Sequence, residues 1–165
     1  MTQQLPGIDY GQLLEELQRL WEGERSPLPR MANMVALLYR RLPEVNWVGV
    51  YLREGQELVL GPFQGAPACQ RIPLGKGVCG TAAVRRQSIV VPDVSGFPGY
   101  IACSPETQAE LVVPLCWEEE LYGVLDLDSP RLGRFTEADA RGLEQIVVEL
   151  LRETDRERLC RYCQG

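Results

Sequence analysis

The first 44 residues show the spacing of apolar residues that is typical of amphipathic helices. Asp9, followed three residues later by Gln12, resembles a capping box that begins one helix, and Ser26 before Pro27 is the start signal of a second. The predicted apolar faces are Leu13, Leu14, Leu17, Leu20 and Trp21 in the first helix and Met31, Met34, Val35, Leu38 and Leu42 in the second. We therefore expect N-terminal helices over 1–44.

From residue 45 the apolar spacing changes to the period of two that predicts β-strands. One hairpin is predicted from 46–53 and 57–61, and another from 110–117 and 121–128. The shorter elements predicted between them are strands at 68–74 and 88–91 and a helix at 77–86. Thr136 and Asp139 then begin a last helix, whose apolar face is Leu143, Ile146, Val147, Leu150 and Leu151.

This order of elements predicts an α+β domain with a mostly antiparallel sheet. We expect one domain over 1–165, with the sheet and active-site loops at 45–130 and one C-terminal helix at 135–160. Residues 92–109 contain three prolines and two glycines and follow neither period. An irregular loop of this length inside a domain usually carries function.

Composition and charge exclude several classes of protein. The net charge of −6 and the short basic runs argue against binding to nucleic acid. No apolar stretch is long enough to cross a membrane and the N-terminus lacks the features of a signal peptide, so a cytoplasmic protein is expected. The chain contains no histidine, which removes Ser-His-Asp and Cys-His catalysis and histidine-ligated metals within one chain.

Six cysteines leave packing, metal binding or redox chemistry open. Cys69, Cys79 and Cys103 lie in the irregular middle of the chain, either as small buried residues or as a redox-active group. Cys116 lies within an apolar strand and is expected in the core. The pair Cys160 and Cys163 has metal-like spacing but no second pair, so a frayed tail is expected, with an adventitious disulfide as the alternative.

Two strands carry chemistry on one face because side chains alternate along a strand. Gly49 between Trp47 and Tyr51 either opens a gap between two aromatic walls or lets a helix approach the sheet closely. Asp126 and Asp128 are either two solvated charges or a crowded pair in which at least one pKa rises. A carboxyl group of raised pKa can act as a general acid near neutral pH. Glu110 adds an acid where the long loop enters a strand.

Long strings in this part of the chain resemble the free methionine-(R)-sulfoxide reductases, which are enzymes built on a single GAF domain. The matching segments are NWVGVYL (46–52), LVLGPFQGAPACQRIPLGKGVCGTA (58–82), DVSGFPGYIACS (93–104), AELVVPL (109–115) and GVLDLDSP (123–130). The resemblance implies a GAF-like fold, with the N- and C-terminal helices on one side of the sheet and a ligand pocket under loops on the other. The flanking helices are a candidate homodimer surface.

The resemblance also implies roles for individual residues. Cys103 matches the catalytic cysteine, Cys69 the usual resolving cysteine, and Cys79 a third cysteine that assists or resolves. The aromatic wall of the substrate pocket matches Trp47 and Tyr51, and its acidic cluster matches Glu110, Asp126 and Asp128. No bound cofactor or metal is expected, and the implied external reductant is thioredoxin, recharged by NADPH through thioredoxin reductase.

The chain also departs from the family pattern. Ser95 and Tyr100 stand where family members commonly carry histidine, and Ser104 stands where an acid is frequent. Because no imidazolium is nearby, only backbone amides or a helix N-terminus remain to lower the pKa of Cys103. Two other functions stay open on sequence alone: a non-catalytic GAF module that senses a small ligand, and a thiol peroxidase or redox switch.

Overall fold

A six-stranded sheet organises the computed structural model, which describes residues 7–163. The helices are α1 (Tyr10–Trp21), α2 (Pro27–Arg41), α3 (Gly77–Arg85), α4 (Glu137–Glu153) and α5 (Arg156–Cys163), with a short 3-10 helix at Val94–Gly96. The strands are β1 (Trp47–Glu54), β2 (Glu57–Gln64), β3 (Arg71–Pro73), β4 (Ile89–Val91), β5 (Ala109–Trp117) and β6 (Glu120–Ser129).

The strand order is β3-β2-β1-β6-β5-β4, and every neighbouring pair is antiparallel. Both predicted hairpins are present, as β1–β2 and β5–β6, and they join through the pairing of β1 with β6. The α+β class and the antiparallel sheet are confirmed.

The two faces of the sheet have different covers. Helices α1, α2, α4 and α5 pack on one face against alternate strand residues such as Val50, Leu111 and Leu125. Helix α3 and the loops cover the other face, which is lined by the residues in between, such as Tyr51, Val112 and Val124. This alternation confirms the expected arrangement of flanking helices on one side and a loop-covered surface on the other.

Several predicted boundaries were wrong. Strand β2 continues past Pro62 to Gln64, because it stays paired with β1 beyond a register shift. Strand β3 is only three residues long, where 68–74 was predicted.

The predicted apolar face of α1 is also too wide. Leu20 is 50% exposed, because Leu13, Leu17 and Trp21 make the inward line of α1 and Leu20 lies at its edge.

The predicted C-terminal helix over 135–160 is two helices, separated at Thr154 and Asp155. The break is held by tertiary contacts: Thr154 Oγ1 accepts a hydrogen bond from Arg30, and the Asp155 amide donates to the Arg25 carbonyl. The predicted frayed tail is therefore wrong. Cys160 and Cys163 lie on α5, pack against the core as free thiols, and Cys163 donates a hydrogen bond to the Tyr122 carbonyl.

Arg30 joins the α1–α2 connection to the end of α4 although it is only 2% exposed. Its guanidinium donates to the carbonyls of Trp21, Glu24, Glu149 and Leu150 as well as to Thr154, and it stacks 4.5 Å from the centre of the Trp21 ring. The backbone carbonyls that end α1 and α4 thereby gain donors that the helices themselves cannot supply. Across residues 7–163, the helices are all too short or too polar to span a bilayer.

We expect Arg30→Met to lower the free energy of unfolding by about 3 kcal/mol, because it leaves several buried carbonyls without a donor. Urea denaturation measures this change. Arg25→Met is the matched control, since the Arg25 side chain is exposed and should contribute less than about 0.5 kcal/mol. Equal losses in the two variants would contradict a structural role for the buried guanidinium.

Candidate functional site

A cavity of about 450 Å³ lies on the α3 side of the sheet. Seven of the eight site residues predicted from sequence line it: Trp47, Tyr51, Cys79, Cys103, Glu110, Asp126 and Asp128. The eighth, Cys69, is bonded to Cys103 through a disulfide. The structure thus brings together residues from β1, α3, the long loop, β5 and β6, which are up to 81 positions apart between Trp47 and Asp128.

The floor of the cavity is built by strand register. Trp47 pairs with Asp128 across β1 and β6, and Asp128 pairs with Glu110 across β6 and β5, so the three lie in one cross-strand row. In the next row on the same face, Gly49 pairs with Asp126. Cross-strand neighbours have Cβ atoms about 5 Å apart, so the register alone crowds the three carboxyl groups.

Burial controls the protonation of these carboxyl groups. Glu110 and Asp126 are each 6% exposed, and one oxygen of Asp126 has no hydrogen-bond partner. Loss of hydration and the charge of Asp128 raise the pKa of Glu110 to about 8. The same causes, burial first and the neighbouring carboxyl second, raise the pKa of Asp126 and of Asp128 well above the ordinary value. Asp126 and Asp128 are therefore crowded and shielded from solvent, which favours the crowded pair of raised pKa over two solvated charges.

Cys79 lies beneath the carboxyl groups at the start of α3 and is buried. Its thiol donates to Glu110 Oε1 at 3.7 Å, and burial, followed by the nearby carboxylates, raises the pKa of the thiol. Three possible ligand atoms lie within 4.8 Å of one another: one oxygen of Glu110, one oxygen of Asp126 and the sulfur of Cys79. At this spacing the three groups could bind a cation together or share protons. That no metal binds there stays a prediction.

Trp47 and Tyr51 form an aromatic wall of the cavity, and Phe63 stacks on Trp47. The Trp47 ring is stacked at 5.9 Å from Tyr51 and at 5.5 Å from Phe63, measured between ring centroids. Of the two alternatives for Gly49, the open gap is wrong, because the Trp47 ring itself occupies the space above this glycine, and the group that approaches closely is this ring rather than a helix. Gly49 therefore allows the tryptophan to fold over the strand, and the wall is continuous.

Two hydrogen bonds tie this wall to the connection between β2 and β3. The Trp47 indole N–H donates to the Ala66 carbonyl at 3.0 Å, and the Tyr51 hydroxyl donates to the Cys69 carbonyl at 2.9 Å. The hydroxyl lies on a side chain that is 1% exposed, so burial raises its pKa and it stays protonated as a donor. The backbone that carries Cys69 is thus fixed by the aromatic wall.

The long loop brings Cys103 to the rim of the cavity. Asp93 begins the loop by accepting from the Ser95 amide and hydroxyl, and Ile101 contacts the start of α3 at Gly77, where a Cβ would meet its side chain at 3.1 Å. The Cα atoms of Cys69 and Cys103 are 5.5 Å apart, the usual spacing for a disulfide. Both cysteines are partly exposed, so the bond is open to an external thiol.

Most residues lining the cavity were not predicted as site residues, Tyr100 among them, and neither was Phe63, which stacks on Trp47. Phe63 was missed because β2 was predicted to end at Gly61, and strict alternation from Leu58 and Leu60 would put residue 63 on the opposite face. The register shift in the pairing of β1 with β2 brings Phe63 opposite Gly49 instead, and the sequence carries no signal for that shift. Tyr100 was noticed only as a departure from the family pattern, yet its ring lines the cavity. Cys116, which was expected in the core, is half-buried at the far end of β5.

The chain resembles known proteins over most of its length. Residues 27–151 match the model of the GAF domain. The free methionine-R-sulfoxide reductase of Escherichia coli is 50% identical over 141 residues, which cover 86% of each chain. The structure of the reduced form of fRMsr of Staphylococcus aureus is 45% identical, with a TM-score of 0.87 and coverage of 93% of this chain and 99% of that one. The Neisseria meningitidis free methionine-R-sulfoxide reductase in complex with its substrate is 37% identical, with a TM-score of 0.87 and coverage of 95% and 97%.

We expect Gly49→Ala to displace the Trp47 ring, because the added methyl group would lie 2.6 Å from Trp47 Cζ3 and 2.7 Å from Phe63 Cβ. The cost should be about 1–3 kcal/mol of unfolding free energy, as for other overpacked sites. Urea denaturation gives the energy, and tryptophan fluorescence reports the ring. Gly96→Ala is the control, since nothing lies within 4 Å of its Cβ position. An unchanged emission spectrum in Gly49→Ala would argue against this packing.

Proposed function

This chain belongs to the GAF domain family and, within it, to the free methionine-R-sulfoxide reductases, and we propose that it reduces free methionine-(R)-sulfoxide to methionine. The observation that carries the proposal is the Cys69–Cys103 disulfide at the rim of a cavity that also holds an aromatic wall and buried carboxyl groups. A thiol, a proton donor and an apolar surface are what this reduction requires.

In the proposed first step, the Cys103 thiolate attacks the sulfoxide sulfur. The sulfoxide oxygen accepts a proton, the sulfur–oxygen bond breaks, and the oxygen passes as hydroxide to the Cys103 sulfur while the transient bond between the two sulfurs breaks. Methionine leaves, and Cys103 becomes a sulfenic acid. In the second step the Cys69 thiol attacks the sulfenic sulfur, which releases water and forms the disulfide. The protein gives up two electrons in total, and these reduce the sulfoxide.

We assign the proton to Glu110, a cavity carboxyl group whose pKa lies close to neutral pH. Its pKa of about 8 leaves the group largely neutral at pH 7, yet close enough to the working pH for efficient proton transfer. The partnerless oxygen of Asp126 offers a further position where the sulfoxide group could bind, since a buried polar atom without a partner is costly. A chain without histidine thus has carboxyl groups for this work.

The aromatic wall is suited to the apolar end of the substrate. Trp47 and Tyr51, with Phe63 stacked on Trp47, form a surface against which a methyl group and a thioether can pack, with the carboxyl row on the adjacent floor. The loop over 92–109 covers the cavity from above and is the proposed lid. A lid of this kind would admit a free amino acid and exclude a peptide chain.

The disulfide must be reduced again, and we propose thioredoxin, recharged by NADPH through thioredoxin reductase. The partial exposure of Cys69 and Cys103 supports attack by an external dithiol. A reducing cytoplasm is the compartment that supplies such dithiols. The reaction as proposed uses protein groups alone and needs no bound cofactor. A homodimer through the helical face is proposed from the exposed Leu20, Leu28 and Val148.

We expect Cys103→Ser to abolish turnover and Cys69→Ser to release one methionine per protein before it stalls with thioredoxin. The coupled assay follows NADPH consumption with free L-Met-(R)-sulfoxide, the (S) epimer and an (R)-sulfoxide peptide. Cys116→Ser, at the far end of β5, is the control and should keep the rate. A near-normal rate in Cys103→Ser would disprove the assigned role.

The substrate comparison separates the rival functions. Turnover of the free (R) form alone supports the reductase, and turnover of peroxide in place of all sulfoxides would indicate a thiol peroxidase. No turnover of any of these, with thiols confirmed reduced, would favour a non-catalytic GAF sensor.

A separate experiment addresses the proton donor. We expect the rate of the first step to fall as pH rises through about 8, because Glu110 then loses its proton. Glu110→Gln should slow this step by about 10²- to 10⁴-fold. It should also make the protein more stable than wild type above pH 8. The raised pKa of Glu110 stabilises the folded state fully below pH 4.5, and this contribution is lost as pH rises to about 8.

Rapid-quench methionine release and urea denaturation over a pH series measure the two effects. Glu144→Gln, on the surface of α4, is the control and should change neither. Wild-type release kinetics in Glu110→Gln would assign the proton to another group.

A further inference from the structure

The segment between β2 and β3, residues 65–70, carries Cys69 and is held by few contacts of its own. We name it the cysteine loop. Most of its residues are exposed, and its Gln70 carbonyl accepts a backbone hydrogen bond from Leu60 at one end. Within the loop, the Ala66 carbonyl accepts a hydrogen bond from the Trp47 side chain, and the Cys69 carbonyl accepts one from the Tyr51 side chain.

These two donors belong to a central strand of the sheet, whereas the loop they hold has no regular secondary structure. Trp47 and Tyr51 lie on β1 in the middle of the sheet and are stacked on each other. The loop turns closely over the tryptophan at Gly65, where a Cβ would lie 2.7 Å from the Asn46 carbonyl oxygen and φ is +125°. The position of the Cys69 backbone is therefore set from below, by the same side chains that face the cavity.

We infer that Tyr51 is a positioning residue for the resolving step, in which its hydroxyl holds the Cys69 backbone so that the Cys69 sulfur reaches Cys103. The kinetic consequence of this inference rests on the proposed function. The hydrogen bond from Tyr51 to Cys69 and the disulfide from Cys69 to Cys103 do not depend on it. The hydroxyl contacts a main-chain carbonyl rather than a sulfur atom, so it acts on the position of Cys69 and not on its reactivity.

The step that Tyr51 assists is a balanced condensation. The Cys69 thiol and the Cys103 sulfenic acid combine to form one sulfur–sulfur bond and one water molecule. A sulfenic acid that waits too long can be oxidised further to the irreversible sulfinic acid. Holding the resolving thiol close therefore protects the enzyme as well as completing the cycle.

Tyr51→Phe keeps the aromatic ring and removes only the hydroxyl. Reduced protein is mixed with free L-Met-(R)-sulfoxide in the absence of thioredoxin, and methionine release and thiol loss are followed in one turnover. The ratio of the disulfide rate to the methionine rate should fall about 5- to 10-fold, the effect of one hydrogen bond. Dimedone, which traps sulfenic acids, should label more Cys103 than in wild type.

A second measurement does not depend on the proposed activity. In a glutathione redox buffer, the reduced protein reacts reversibly with one glutathione disulfide to give the Cys69–Cys103 disulfide and two molecules of reduced glutathione. The equilibrium constant for closing the disulfide should fall about fivefold in Tyr51→Phe and should also fall in Trp47→Phe, which lacks the second donor. Tyr122→Phe removes a hydroxyl on the helical side of the sheet and should leave both readouts unchanged.

The results separate two kinds of failure. An unchanged equilibrium constant together with an unchanged rate ratio in Tyr51→Phe overturns the positioning role. A shifted equilibrium constant with no methionine release by wild type keeps the positioning role and rejects the proposed function. A change in KM for the sulfoxide with neither shift would place the hydroxyl on the substrate and overturn the inference.

Discussion

Trp47, Asp128 and Glu110 lie side by side on three neighbouring strands, and the rest of the site depends on that register. A shift of one residue along β6 would turn Asp126 and Asp128 into the helical core and bring Leu125 and Leu127 to the cavity. The leucines that pack against α1, α2 and α4 oppose such a shift, since each is fully buried. The apolar face of the sheet thus fixes the strand register, and the register fixes which side chains face the cavity.

Burying three carboxyl groups beside a thiol costs folding free energy. Burial and mutual repulsion raise the pKa values of Glu110, Asp126 and Asp128, and a carboxyl group that keeps its proton costs less to bury because it carries no charge. Neutral carboxyl groups also suit the proposed chemistry in a second way. A fully ionised cluster in the cavity that Cys103 lines would raise the pKa of the attacking thiol, whereas protonated carboxyls can donate a proton without repelling the thiolate.

The sequence could predict the elements that are determined by residues close together in the chain. The capping box at Thr136 and Asp139 and the two alternating hairpins specify their own elements, and the structure contains all of them. The break at Thr154 could not be predicted, because Arg25 and Arg30 from another part of the chain supply its hydrogen bonds. The path of the Trp47 ring over Gly49 was likewise missed, since it depends on Phe63 from the neighbouring strand.

The pattern along the chain singled out the eight site residues and a resemblance implied their roles, and the structure adds how they are coupled. Period-two spacing places Trp47 and Tyr51 on one face, but it says nothing of the carbonyls that their polar ends contact. Those contacts join the surface that would bind the substrate to the loop that carries Cys69. In the proposed cycle, substrate packing and disulfide closure therefore share two side chains, those of Trp47 and Tyr51. A ligand that tilts either ring would also move the resolving cysteine, which gives one sheet face control over both halves of the proposed cycle.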